Sequence, residues 1–192
     1  MQEWLLILIG TVLVNNIVLT RFLGLCPLFG ASNELDTAIG MGLATALVLT
    51  LTATVSYLVE TYVLVPFGLE FLRTLVFIVV IAASVQGLEI LMRNASPILH
   101  RMLGLYLPLI TSNCAVLGVA LLVSRDHQSV VAAATYGLGA AIGFTLVLVL
   151  FASLRERLAA APVPAPFAGA GIALVTAGIM ALAFMGFAGL DR

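Results

Sequence analysis

Two cysteines are the residues of this chain with the clearest capacity for chemistry, because both stand in the same short pattern. Residues 26–30 (CPLFG) and 114–118 (CAVLG) each read cysteine, any residue, aliphatic, apolar, glycine, and the copies are offset by 88 positions. Thiolates bind soft metals well. The repeated pattern therefore suggests that Cys26 and Cys114 act as a pair.

Three interpretations of this pair are open. The cysteines could be small buried apolar residues without a role, they could form a disulfide, or they could bind a metal. His100 and His127 lie in predicted loops and add no ligand near the pair. Two thiolates are half of the four-cysteine set of a 2Fe–2S cluster. A cluster here would need a partner chain to bring the other half.

The composition places the cysteines in a membrane protein. Of the 192 residues, 62% are hydrophobic and only 9% are charged, whereas a soluble domain carries about 25% charged residues. Eight arginines, no lysine and nine acidic residues give a net charge of -1. This balance excludes a basic nucleic-acid-binding domain, so we expect no nucleic-acid partner. We therefore expect this chain to be embedded in the lipid bilayer.

The apolar stretches predict six transmembrane helices in a single membrane domain over residues 1–192. A span needs about 20 apolar residues. The predicted spans cover residues 4–29, 38–59, 71–91, 102–123, 131–153 and 168–189. Residues 40–44 and 137–141 open spans 2 and 5 with similar glycine patterns. The cysteine and glycine patterns together predict two three-helix repeats, about 1–95 and 96–192, inverted relative to each other.

Both cysteine patterns lie where a straight helix is unfavourable. The apolar stretch 4–33 would form a helix of about 45 Å, well beyond the ~30 Å hydrocarbon core. We therefore expect span 1 to break near Gly24–Pro27 and span 4 to break near residues 111–113, a Thr-Ser-Asn run. Breaks near the membrane midplane are typical of functional sites in inverted-repeat proteins.

The arginine distribution predicts the orientation, since cytoplasmic loops are enriched in Lys and Arg. The side of loops 1–2, 3–4 and 5–6 would hold five arginines and the other side three, which puts both termini in the periplasm. The two sets are Arg21, Arg93, Arg101, Arg155 and Arg157 against Arg73, Arg125 and Arg192.

Several segments carry a resemblance to a known family. Residues 15–27 (NNIVLTRFLGLCP) and 107–118 (LPLITSNCAVLG) look like the first and fourth spans of the A-type membrane subunits of Rnf electron-transport complexes. Residues 38–45, 154–157, 176–178 and 183–187 also fit, so the likeness covers essentially the whole chain. The E-type membrane protein of the sodium-pumping NADH:quinone reductase is similar.

The resemblance implies a function and a site. Rnf complexes of the bacterial inner membrane exchange electrons between ferredoxin and NAD, coupled to sodium or proton movement. The A-type subunit pairs with a homologous subunit of opposite orientation, the E-type subunit of the same complex, and relays electrons across the membrane. Each would supply two cysteines to one shared 2Fe–2S cluster, here Cys26 and Cys114. Flavins and other iron–sulfur clusters belong to other subunits, so this chain would not be catalytic alone.

An inverted-repeat secondary transporter or channel subunit is the rival interpretation, because such proteins also break helices at the midplane. A transporter needs polar or charged groups for its substrate at the breaks, and here each break leads to a thiol. Other residues could belong to an ion path, although interfacial or packing roles are the simpler interpretation. They are Arg21, Glu89 and the span 2 hydroxyls of Thr45, Thr50, Thr52, Thr54 and Ser56.

Overall fold

In a computed structural model, residues 8–32, 34–95, 107–126, 129–162, 164 and 169–186 are described, and all regular elements within them are helical. A π-helical turn over Gly10–Val14 leads into α1. The α-helices are α1 Ile17–Arg21, α2 Leu25–Ala31, α3 Leu35–Val59, α4 Val65–Phe67, α5 Arg73–Ala95, α6 Leu107–Thr111, α7 Cys114–Asp126, α8 Val130–Ala159 and α9 Ala170–Met185.

The described helices agree with a membrane protein. Leu35–Phe67, Arg73–Ile90 and Val130–Ala159 are long and apolar enough to cross a bilayer, and the bent pair Gly10–Arg21 with Leu25–Ala31 would make a fourth crossing. Shorter apolar segments overlap the predicted spans 4 and 6: Leu109–Arg125, which is interrupted at residues 112 and 113, and Ala170–Met185. The count of six spans stays a prediction, and the outer ends of spans 1, 4 and 6 lie outside the described residues.

The predicted break in span 1 is confirmed, a few residues earlier than expected. The chain bends by 90° between the arm ending at Arg21 and α2. Phe22 and Gly24 are left-handed, with φ of 54° and 85°. Pro27 does not make the break. It lies in the first turn of α2, where its missing N–H removes no helical hydrogen bond.

The predicted break in span 4 is also confirmed. α6 ends at Thr111, and the helical pattern resumes at Cys114 after Ser112 and Asn113. The Asn113 carboxamide oxygen accepts a hydrogen bond from the Ala115 N–H at 3.0 Å and so caps the start of α7. The Thr-Ser-Asn run therefore marks the boundary between α6 and α7.

Two long helices, α3 and α8, form the centre of the fold and run antiparallel. A Cβ placed on Gly42 would lie 2.6 Å from Thr145 Cγ2, and one placed on Gly137 would lie 2.7 Å from Ala53 Cβ. These contacts occur in opposite order along the two helices. Small residues let membrane helices approach closely, so the glycine patterns of spans 2 and 5 mark this crossing.

Polar side chains attach the broken first span to α8. Asn16 is 1% exposed, and its Nδ2 donates to the Gly143 carbonyl at 3.0 Å. At the other end of the span, Arg155 donates to the Phe29 carbonyl at 3.0 Å and to Ser32 Oγ at 2.8 Å. These contacts fix both arms of the bent segment on one rigid helix.

Candidate cysteine site

The two cysteines begin two helices. Cys26 is the second residue of α2, and Cys114 is the first residue of α7. Both are free and exposed on this chain. No disulfide joins them, and neither is buried within this chain. Both thiols therefore lie at helix N-termini, where backbone N–H groups without a helical partner can donate hydrogen bonds to a ligand.

The two breaks contact each other through a sulfur. The Gly24 N–H donates to Cys114 Sγ with a donor–acceptor distance of 3.0 Å. Gly24 precedes Cys26 by two residues, and its left-handed conformation (φ 85°) directs this N–H away from a helical partner. The first break therefore supplies a hydrogen-bond donor to the cysteine of the second.

The two cysteine patterns pass each other in opposite directions. A Cβ on Gly118 would lie 2.7 Å from Leu23 Cδ2, and one on Gly30 would lie 3.1 Å from Leu109 Cδ2. Each glycine is the last residue of one pattern, and each leucine precedes the cysteine of the other. Both cysteines thus lie between these two contacts, so the structure brings the two sequence patterns together.

The floor of the site is tightly packed. Phe144 of α8 is fully buried, and its Cε2 would lie 2.9 Å from a Cβ on Gly24. Asn113 is 2% exposed, and within the described part of the chain its Nδ2 has no hydrogen-bond partner. A buried amide donor without a partner next to Cys114 is a place where an anionic acceptor would be stabilised.

The described residues offer two soft ligands at this place. In residues 8–32, 34–95, 107–126, 129–162, 164 and 169–186, no group of three or more His, Cys, Asp or Glu side chains could hold a metal ion. His100 and His127 lie outside these ranges. A four-thiolate cluster at this surface would take its other two ligands from another chain.

The other residues considered for ion movement or orientation are spread over the molecule. Arg21 is exposed and lines a small surface pocket together with Arg125, a residue predicted to lie on the opposite side of the membrane. Because Arg21 ends α1 within the broken span, it does not belong in a count of loop arginines. Glu89 is half-buried on α5. The pocket that Arg21 lines also includes Leu23 and Gly118, whose contact flanks the cysteines, so Arg21 lies near that site.

A partly buried ion pair between Arg73 and Glu60 was not predicted from the sequence. Arg73 Nη2 lies 2.6 Å from Glu60 Oε1, and the two side chains are 24% and 8% exposed. Glu60 stands at the end of α3, and Arg73 begins α5. They are thirteen positions apart in the sequence, so no helical spacing rule would have paired them.

Comparisons with known proteins give the family context. Residues 4–191 match the family described as "Rnf-Nqr subunit, membrane protein". The chain is 63% identical to the A subunit of the ion-translocating oxidoreductase complex of Pseudoalteromonas translucida (strain TAC 125). It is 62% identical to the proteins of the same name from Vibrio campbellii and Vibrio cholerae. Each of these alignments spans all 192 residues and covers 100% of both chains.

Proposed function

Since the chain belongs to the family of Rnf-Nqr membrane subunits, we propose that it is the A-type subunit of an Rnf-type complex. In this proposal the complex transfers electrons between ferredoxin and NAD and couples the transfer to sodium or proton translocation. Cys26 and Cys114 supply two thiolates to a 2Fe–2S cluster, and a homologous subunit of opposite orientation, the E-type subunit, supplies the other two. The chain relays electrons and is not catalytic alone. Flavins and further clusters belong to other subunits.

The surroundings of the thiols suit an anionic cluster. The observation that carries the proposal is the Gly24 N–H directed at Cys114 Sγ, because backbone donors to cluster sulfurs stabilise the reduced state and raise the potential. The Asn113 amide offers a second donor beside Cys114. Both cysteines are exposed on this chain, which leaves them accessible to ligands from a partner.

A bound 2Fe–2S cluster would supply one-electron transfer. The chain's own residues perform the positioning. Asn16 and Arg155 hold the bent first span on α8, so Cys26 is presented from a fixed arm. Asn113 caps α7 and fixes the backbone at Cys114. Phe144 is fully buried and packs against Gly24 beneath the break.

The membrane arrangement belongs to the same proposal. We place six spans in the inner membrane as two inverted repeats, with the breaks of spans 1 and 4 near the midplane and both termini in the periplasm. The antiparallel passage of residues 23–30 against 109–118 supports the inversion, as does that of α3 against α8. A free-standing transporter has less support, because the relatives' names specify a subunit of an oxidoreductase complex.

The decisive experiment is an EPR spectrum of the purified complex with Cys26→Ser or Cys114→Ser. Loss of a thiolate ligand should abolish the signal of one 2Fe–2S cluster and with it the electron transfer between ferredoxin and NAD. Ser112→Ala, an exposed position at the same break, serves as the control and should keep both. A Cys26→Ser complex with full ferredoxin–NAD electron transfer would contradict the proposal.

A further inference from the structure

Three hydroxyl groups on α3 differ from the rest of the helix. Thr45, Thr52 and Ser56 are at most 1% exposed, and their hydroxyl oxygens have no hydrogen-bond partner among the described residues. On the same helix Thr50 donates to the Ala46 carbonyl and Thr54 to the Thr50 carbonyl, each at 2.9 Å. Of the five hydroxyl residues considered in span 2, Thr50 and Thr54 thus bond to the preceding helical turn, whereas Thr45, Thr52 and Ser56 do not.

A carboxylate continues the same face. Thr52, Ser56 and Glu60 are four residues apart, so they lie one above another at intervals of about 6 Å. Glu60 is 6% exposed, and its Oε1 pairs with Arg73 while its Oε2 has no partner in the described part of the chain. Thr45 precedes Thr52 by seven residues, or about two helical turns, and so lies on the same face. We call Thr45, Thr52, Ser56 and Glu60 the polar file.

Packing alone does not account for the polar file. A buried polar atom without a partner is destabilising, and valine or alanine would fill these positions without that cost. Neighbouring hydroxyls on α3 donate hydrogen bonds to carbonyls of the preceding turn. The hydroxyls of the polar file could have made the same bonds. Four oxygen atoms left free on one helix face, within the described part of the chain, indicate partners from outside the protein, such as water or a cation.

The helix geometry changes where the polar file ends. α3 passes into a π-helical turn at Glu60–Leu64, in which the Val65 N–H bonds to the Glu60 carbonyl. Single π-turns inside helices are frequent at functional sites. Here the turn begins at the one charged residue of the file. Arg73 Nε is also buried without a partner among the described residues, so the ion pair leaves one polar atom free on each side chain.

We propose that the oxygens of the polar file bind and conduct a monovalent cation, with Arg73 as a fixed counter-charge at the Glu60 end. Hydroxyl and carboxylate oxygens are the ligands of hard cations. The ion pair with Arg73 offsets the carboxylate charge, so a cation is held weakly enough to leave again. The same oxygens would coordinate sodium or order the waters that pass a proton. This inference rests on the proposed function and assigns its ion movement to named residues.

The test compares two double variants of the complex, reconstituted in lipid vesicles and driven by reduced ferredoxin and NAD. Thr52→Val with Ser56→Ala removes two hydroxyls of the file. Thr50→Val with Thr54→Val removes two back-bonded hydroxyls of the same helix and is the matched control. Radioactive sodium uptake and internal pH are recorded together with the electron-transfer rate. Because the file variant removes only atoms without partners among the described residues, it is expected to fold.

The file variant should move fewer ions per electron or need roughly tenfold more cation for half-maximal transport, the loss expected for a contact to a charged group. The control should match the wild type. A deficit in sodium uptake identifies sodium as the ion, and a deficit confined to the pH change identifies the proton. If both variants show equal ion-to-electron ratios and keep the cluster signal, the polar file does not conduct the ion. That result would leave the proposed function of the complex unaffected. Loss of the proposed function would instead appear as a wild-type complex without the 2Fe–2S signal.

Discussion

At the scale of single residues, Gly24 combines two requirements. Its φ of 85° lies in the left-handed region, where a side chain costs free energy. A Cβ there would also meet Phe144 at 2.9 Å and Ala115 Cβ at 3.2 Å. Its N–H is the donor to Cys114 Sγ. The backbone conformation, the close packing and the hydrogen bond to sulfur therefore depend on one glycine.

Gly24→Ala is predicted to destabilise the protein by about 1–3 kcal/mol, from the left-handed conformation and the overpacking against Phe144. The same shift lengthens the bond to Cys114 Sγ, so the potential of the proposed cluster should fall. Thermal unfolding and an EPR-monitored redox titration measure the two effects. Gly87→Ala in α5 is the control, because a Cβ there meets nothing within 4 Å. A Gly24→Ala protein as stable as the control would contradict this account.

At the scale of elements, the antiparallel crossing of α3 and α8 depends on missing side chains. Gly137→Ala would place a methyl group 2.7 Å from Ala53 Cβ and 3.3 Å from the Leu49 carbonyl oxygen. Neither neighbour is the end of a flexible side chain, so the helices must separate. We predict a loss of about 1–3 kcal/mol, measured as a lower Tm in detergent.

Gly178→Ala in α9 is the matched control for that experiment. It is also helical, but nothing lies within 4 Å of a Cβ there, so alanine should leave stability unchanged or raise it by up to about 1 kcal/mol. If both variants lower the Tm equally, the crossing is not the sensitive contact.

The breaks could be predicted from the sequence because they follow from local chemistry. An apolar stretch too long for the bilayer, interrupted by glycine, must bend, and a Thr-Ser-Asn run competes with helical hydrogen bonds. The location of the first break was less predictable. Pro27 is the obvious helix breaker, yet the bend occurs at Phe22–Gly24, because proline is compatible with the first turn of the next helix.

Contacts between distant elements could not be predicted in the same way. The bond of Asn16 to the Gly143 carbonyl joins residues 127 positions apart. The pairing of Glu60 with Arg73 likewise depends on how α3 and α5 meet. Each of these contacts is determined only by how the helices pack together. Hydrophobic periodicity and helix-breaking residues, in contrast, carry information about structure within a few residues. The polar file was visible as hydroxyl residues, but its missing hydrogen bonds were not.

At the scale of the whole molecule, the predicted orientation in the membrane depends on the number of arginines on each side. With Arg21 assigned to the broken span, four loop arginines face three: Arg93, Arg101, Arg155 and Arg157 against Arg73, Arg125 and Arg192. The positive-inside rule still favours periplasmic termini. A reporter active only in the cytoplasm, fused after Arg192, should be silent, and one inserted between residues 93 and 101 should be active. The reverse pattern of reporter activity would show that both termini lie in the cytoplasm.

The exposure of both thiols has a consequence for how such a complex is made. Both cysteines are exposed on the single chain, so before it joins the proposed partner they would be open to oxidation and to cross-linking with other chains. Under the proposed function, iron insertion would not be completed on the solitary chain, since it would offer only two of the four thiolate ligands. If the proposed homologous subunit supplies the other two, the cell would have to make the two proteins in equal amounts. Any surplus copy would present reactive sulfur to the membrane around it until it is paired or degraded.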